Sequence, residues 1–171
     1  MVSALVPDPN PTECPVDIVF VLDASDSIGT SDFNLMKSYV SRLVSGLDID
    51  GGKTRVGLVT YSLNVTTSIS LNAHSTLAGV LSAISSLSYS GGNTNTAAAL
   101  AFVRTRMLTS AAGDRSNGPN IVVVLTRGRS IDTSATKVSI MWKLLHKTST
   151  FQKQKRSSAH SISDNCVVVQ K

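Results

Sequence analysis

No stretch of this 171-residue sequence approaches the run of about eighteen apolar residues needed to cross a bilayer as a helix. The amino end, "MVSALVPDPNPTECP", has neither a basic n-region nor an apolar h-region, so no signal peptide is expected within it. Cysteine is scarce. Cys14 and Cys166 stand near the two ends, without C-x-x-C spacing and without a histidine set beside them, which removes zinc-ribbon and thioredoxin-type readings. Two alternatives stay open for the pair: two free thiols, or an end-to-end disulfide in an oxidising compartment, worth roughly 4 to 5 kcal/mol on the chain-entropy account. His74, His146 and His160 are scattered and share no metal-ligand spacing. Nucleotide and hydrolase signatures are missing too: no G-K-[ST] follows the glycine-rich loop "GGNTNT", and there is no G-x-S-x-G elbow.

What is present is enough apolar residue, 42% of the chain, to bury the core of one domain. The formal charge of +5 suggests an anionic partner until it is divided along the chain. Residues 1–136 carry nine Lys+Arg against ten Asp+Glu, whereas residues 137–171 carry seven against one. The basicity belongs to a tail, which is either a solvated segment or a binder of phosphate, sulfated sugar or anionic lipid.

Buried strands alternate with amphipathic helices. "VDIVFVL" (16–22) is a continuous β-rich apolar run, as in a strand covered on both faces. Phe33, Met36, Val40, Leu43, Val44 and Leu47 recur at helical spacing. "TRVGLVTYS" is a second strand, and "VTTSISL" alternates like an antiparallel edge strand. Leu77, Val80, Leu81, Ile84 and Leu87 mark another helix, Thr96 to Leu108 a third, and "NIVVVLT" a third strongly buried strand; "AAGDRSNGP" before it is a surface turn. The expected fold is α/β, a doubly wound, mostly parallel central sheet flanked by helices, with the C-terminal part incomplete or divergent. Ligands of such sheets bind beyond the carboxyl ends of the strands.

At those ends the chain places oxygen. In "DASDSIG", Asp23, Ser25 and Ser27 alternate, so that one carboxylate and two hydroxyls can converge on a hard cation such as magnesium. The alternative is that Asp26 or Ser27 caps the following helix. Thr94, in the glycine-rich loop, offers a further hydroxyl, or else Thr94 or Asn95 lies at the cap of the next helix.

Together "DIVFVLDASDSIG", "TRVGLVTYS", "GGNTNTAAAL" and "NIVVVLTRGRS", in that order over roughly residues 14 to 138, resemble a von Willebrand factor type A domain of the collagen-associated, extracellular matrix kind. The resemblance implies a metal-ion-dependent adhesion site in which Ser25, Ser27 and Thr94 ligate Mg²⁺ (or Mn²⁺ or Ca²⁺). Aspartates matching Asp23 and position 127 would act mainly through bound water. It further implies a secreted, non-catalytic module that binds a partner carboxylate, on collagen or another matrix component.

Position 127 departs from that pattern: Arg127 stands where the family has aspartate in a T-D-G sequence. At about 5 Å and an effective dielectric near 20, each unit charge facing a dication contributes roughly 6 to 7 kcal/mol before screening, so the exchange should weaken the site. Arg127 could instead pair with Asp23 and preserve the fold without metal. The tail departs as well, since only "CVVV" (166–169) could form a strand, although Val138, Met141, Leu144 and Leu145 make a helical stripe and Trp142 packs with it. The expected layout is an extension over 1–13, the domain over 14–147 and a basic tail over 148–171.

Rival chemistry is limited. Phosphoryl-transferring hydrolases of the haloacid dehalogenase type also place an aspartate after a buried strand, but they want a second one two residues on, where Ser25 stands. A metal-independent alternative is binding of an anionic polymer, such as a sulfated glycan, acidic matrix or nucleic acid, through Lys143, Lys147, Lys153, Lys155 and Arg156; of these, nucleic acid is the least favoured. Asn64 opens "NVT", an N-glycosylation acceptor pattern in a secreted chain.

Overall fold

A computed structural model describes residues 15–126. The elements run β1 (Val16–Asp23), α1 (Gly29–Val44), β2 (Thr54–Tyr61), β3 (Val65–Ile69), α2 (Leu77–Ser86), α3 (Thr96–Phe102), a π-helical turn (Val103–Met107), a 3₁₀ turn (Ser110–Ala112) and β4 (Asn120–Leu125). The strands form one sheet in the order β3-β2-β1-β4. β1 is parallel to both β2 and β4, and β3 is antiparallel on the edge. This is the expected mostly parallel, helix-flanked sheet. The "VTTSISL" segment takes its expected place because its side chains are only alternately covered.

Alternation along β1 divides the core in two. Ile18, Phe20 and Leu22 pack against Phe33, Val40 and Val44 of α1 and Val80, Ala83 and Ile84 of α2. Val19 and Val21 face the other way, with Val59 and Tyr61 of β2, Ala99 of α3, and Val103 and Met107 of the π turn. Each fully buried aliphatic or aromatic side chain here contributes about 1.5 to 3 kcal/mol.

Three expectations need correction. Leu43 is 39% exposed, because it lies about 100° around the helix from Val44, which holds the core position. The helix expected over 96–108 divides at Val103, where Leu108 N–H donates to the Val103 carbonyl at 2.9 Å in the i→i+5 pattern of a π turn. The Thr105 hydroxyl bonds back to the Ala101 carbonyl at 2.9 Å in the same turn. Finally, β4 is half-buried, with Ile121 at 36% exposure, since among the described residues it is paired on one edge only, with β1.

The amino-terminal end of β1 holds an ion pair that the sequence reading did not anticipate. Asp17 is fully buried, and Arg115 grips it twice: Nε donates to Oδ1 at 2.8 Å and the backbone N–H to Oδ2 at 2.7 Å. The same guanidinium donates to the carbonyls of Val16, Gly52 and Lys53 at 2.8 to 2.9 Å, tying β1 to the loop before β2. The "AAGDRSNGP" segment is thus a structural clamp as well as a turn. No helix among the described residues is long and apolar enough to cross a membrane.

Candidate functional site

The opposite end of β1 carries the residues picked out for cation chemistry. Asp23 ends the strand with no exposed surface, and Ser25 directly beyond it is equally buried. The chain turns sharply here, with Ser25 N–H donating to Asp23 Oδ1 at 2.9 Å. Ile28 N–H donates to the Ser25 carbonyl at 3.0 Å as α1 begins. Helix capping does not account for the serines: the N-cap of α1 is Ile28, without a side-chain cap bond.

Ser25, Ser27 and Thr94 converge across 69 residues of sequence. Thr94 Oγ1 donates to Ser25 Oγ at 2.7 Å, the Ser25 and Ser27 hydroxyls are 2.9 Å apart, and Ser27 Oγ lies 3.4 Å from Thr94 Oγ1. Thr94 is free to face the serines because Asn95 serves as the cap of α3, its Oδ1 accepting from Ala98 N–H at 3.1 Å.

The loop that delivers Thr94 is fixed by backbone bonds to its neighbours. Gly91 N–H donates to the Ala24 carbonyl at 2.8 Å, Asp26 N–H to the Gly92 carbonyl at 2.9 Å, and Asn95 N–H to the Ser62 carbonyl at 2.8 Å. Gly91 has φ +69°, a conformation that favours glycine, and a Cβ there would stand 2.8 Å from Asp26 Oδ1, so that carboxylate would have to turn aside. Asp26, the additional carboxylate of the first loop, is turned toward this loop and accepts from the Tyr89 hydroxyl at 3.3 Å.

Two contributors were missed in the sequence. Thr126 Oγ1 donates to Asp23 Oδ2 at 2.6 Å. The signal was available in the register: β1 and β4 are parallel with Leu22 opposite Leu125, which brings the residues after them side by side. Tyr61, opposite Asp23 on β2, buries its ring and shares a 2.9 Å hydrogen bond with the Thr96 hydroxyl. Burial pushes its phenol pKa above the ordinary 10.0, against the lowering effect of the Thr96 bond.

The donor set can be tested against a hard dication. Adjacent oxygens in an octahedron with metal–oxygen distances of about 2.1 Å lie about 3.0 Å apart. The three hydroxyl separations, 2.7, 2.9 and 3.4 Å, bracket that value. Among the described residues no group of three His, Cys, Asp or Glu side chains is placed to hold a metal. Arg127, Cys14, Cys166, Lys143, Lys147, Lys153, Lys155 and Arg156 lie outside the described residues, as do the expected boundaries at 13/14 and 147/148 and the 166–169 strand.

The pattern of the von Willebrand factor type A domain family matches residues 17–152. The collagen alpha-4(VI) chain of Mus musculus is 42% identical over 120 residues, 69% of this chain and 5% of its own length. Matrilin-1 of Mus musculus is 37% identical over 136 residues, 76% of this chain and 27% of its own. The chain therefore spans only about a twentieth to a quarter of these relatives. Among solved structures, proximal thread matrix protein 1 from the mussel byssus, with a zinc-occupied MIDAS motif, superposes with a TM-score of 0.71 at 25% identity, covering 80% of this chain and 36% of that one.

Proposed function

This chain belongs to the von Willebrand factor type A domain family, and on that premise we propose that it is a secreted, non-catalytic adhesion module of the extracellular matrix whose Asp23–Thr94 face holds a divalent cation. The observation that carries this reading is the triangle of Ser25, Ser27 and Thr94 hydroxyls, spaced like neighbouring ligands of a small octahedral ion. Mg²⁺ is the first choice, with Mn²⁺ or Ca²⁺ as substitutes. A bound dication would supply a Lewis-acidic position for a carboxylate of the partner, a collagen or another matrix protein. The chain's own share is orientation: the Ser25 amide and the Thr126 hydroxyl fix both oxygens of Asp23, so that its charge bears on the site without swinging into it. The similar mussel byssus protein, with zinc in its MIDAS motif, supports this reading. Arg127, outside the described residues, stands where the family has aspartate, and that exchange of negative for positive charge is expected to weaken cation binding.

Binding of the full chain to a collagen-coated surface in magnesium buffer tests this. Expected is binding that is lost on chelation and on Ser25→Ala. Binding that ignores chelator but falls steeply with salt would instead favour the basic tail, through Lys143, Lys147, Lys153, Lys155 and Arg156, as a docking site for an anionic polymer; the seven-to-one charge excess of residues 137–171 is what keeps that reading in play.

A further inference from the structure

The turn joining β2 to β3, residues 62–64, opens at the same end of the sheet as the hydroxyl triangle. The Ser62 carbonyl accepts the N–H of Asn95, the neighbour of Thr94, at 2.8 Å. A Cβ on Gly92 would lie only 3.8 Å from the Ser62 hydroxyl. This turn is accordingly part of the rim around the proposed cation face. Its tip faces water, with Leu63 45% exposed and Asn64 exposed beside it.

Asn64, Val65 and Thr66 form an N-x-T acceptor. The fold leaves the asparagine side chain accessible while using its neighbours. Ser62 N–H donates to the Asn64 backbone carbonyl at 2.9 Å, but no hydrogen bond among the described residues holds the Asn64 carboxamide. The register shifts beside it, with Tyr61 opposite Val65 and Thr60 opposite Thr67, so Thr66 is the extra residue of a β-bulge. The Thr66 hydroxyl bonds the Thr60 carbonyl at 3.2 Å and the Thr60 hydroxyl at 3.0 Å, which anchors the strand end on which the turn rests. A substituent on Asn64 breaks none of these bonds.

We propose that Asn64 carries an N-linked glycan that stands on the rim of the cation face and governs which macromolecules can reach it. In the attachment, the Asn64 amide nitrogen displaces a lipid-linked pyrophosphate from C1 of the first sugar. One C–O bond breaks, one C–N bond forms, the amide gives up one proton, and no electrons are exchanged. The donor is a lipid-pyrophosphate oligosaccharide of the secretory pathway, so the proposal rests on the secreted reading above. A solvated glycan at this position leaves ions free to enter but narrows the orientations from which a protein can dock.

The test expresses the full chain with a secretory leader, alongside Asn64→Gln and Thr66→Ala. Intact mass before and after amidase release of glycans, with peptide mapping of the Asn-to-Asp conversion, reports occupancy. Mn²⁺ titration and binding to a collagen-coated surface report the two levels of access. Expected are a glycan on the parent chain alone, unchanged Mn²⁺ affinity, and several-fold tighter collagen binding by both variants and by the enzymatically released form. An unmodified Asn64 in the secreted chain overturns the proposal, and so does equal collagen binding with and without the glycan. If no form binds Mn²⁺ or collagen, the adhesion reading fails and the gating falls with it, whereas the mass data still decide the modification itself.

Discussion

Asp17 and Asp23 sit near opposite ends of the same strand, both without exposed surface, and the fold answers them in different ways. Asp17 meets a guanidinium that also binds three carbonyls, so its charge is neutralised by a fixed part of the chain. Asp23 is met by one amide and one hydroxyl, and among the described residues no cationic side chain reaches it. Among the described residues, the hydroxyls of Ser25, Ser27 and Thr94 gather just beyond it. A buried carboxylate answered by arginine is scaffold; one set among neutral oxygen donors suits an exchangeable cation. The contrast separates two kinds of polar cluster that look alike in composition.

Cutting the clamp should have the largest effect. Arg115→Ala leaves Asp17 buried without its cation and is expected to lower unfolding free energy by about 3 to 5 kcal/mol, read by chemical denaturation. The same change should leave cation affinity unaltered at temperatures where the variant is folded. At the other end the pattern should reverse. Ser25→Ala or Thr94→Ala should reduce Mn²⁺ affinity more than about tenfold, some 1.4 kcal/mol, while changing stability by about 1 kcal/mol or less, because the remaining hydroxyls can pair with each other. A stability loss at Ser25 as large as that at Arg115 would dissolve the distinction.

Gly91→Ala tests the loop that carries Thr94. Its φ of +69° and the 2.8 Å approach to Asp26 Oδ1 predict a destabilisation of about 1 to 2 kcal/mol, together with weaker cation binding as Thr94 shifts. The smallest effect concerns Tyr61. Its phenol pKa is raised by burial, so its contribution to stability is fully present below the unfolded value of 10.0 and is lost as pH rises through the folded value. Stability should therefore decline in the alkaline range above about pH 10. Tyr61→Phe should flatten that part of the decline, as followed by denaturation across pH.

Much of the site end was legible because its residues obey local rules. β1 shows itself as an unbroken apolar run, and Asp23, Ser25 and Ser27 follow it at alternate positions. Its local pattern marks Thr94 only as a hydroxyl in a glycine-rich loop, and the family resemblance alone joined it to the serines; the loop bonds of Gly91, Gly92 and Asn95 are what bring it to Ser25. The clamp end was not legible, because nothing local links Asp17 to Arg115, 98 residues away. A physical hint did exist: an aspartate inside an apolar strand must find a partner. Thr126 went without a role because its meaning depends on strand register, which periodicity does not report. The π turn escaped for a related reason, since Thr96 to Leu108 keeps helical spacing through the point where the hydrogen bonds change partner.

The contrast between the two ends comes down to whether the Asp23 end holds a cation and how position 127 sets its strength. Calorimetric Mn²⁺ titration of the parent chain, Arg127→Asp, and Arg127→Asp combined with Ser25→Ala measures this directly. Expected is weak binding by the parent, tightening by more than about tenfold in Arg127→Asp as charge repulsion becomes attraction, and loss of that gain when Ser25 is also removed. Equal affinity in all three proteins would contradict a cation site built on Ser25, Ser27 and Thr94.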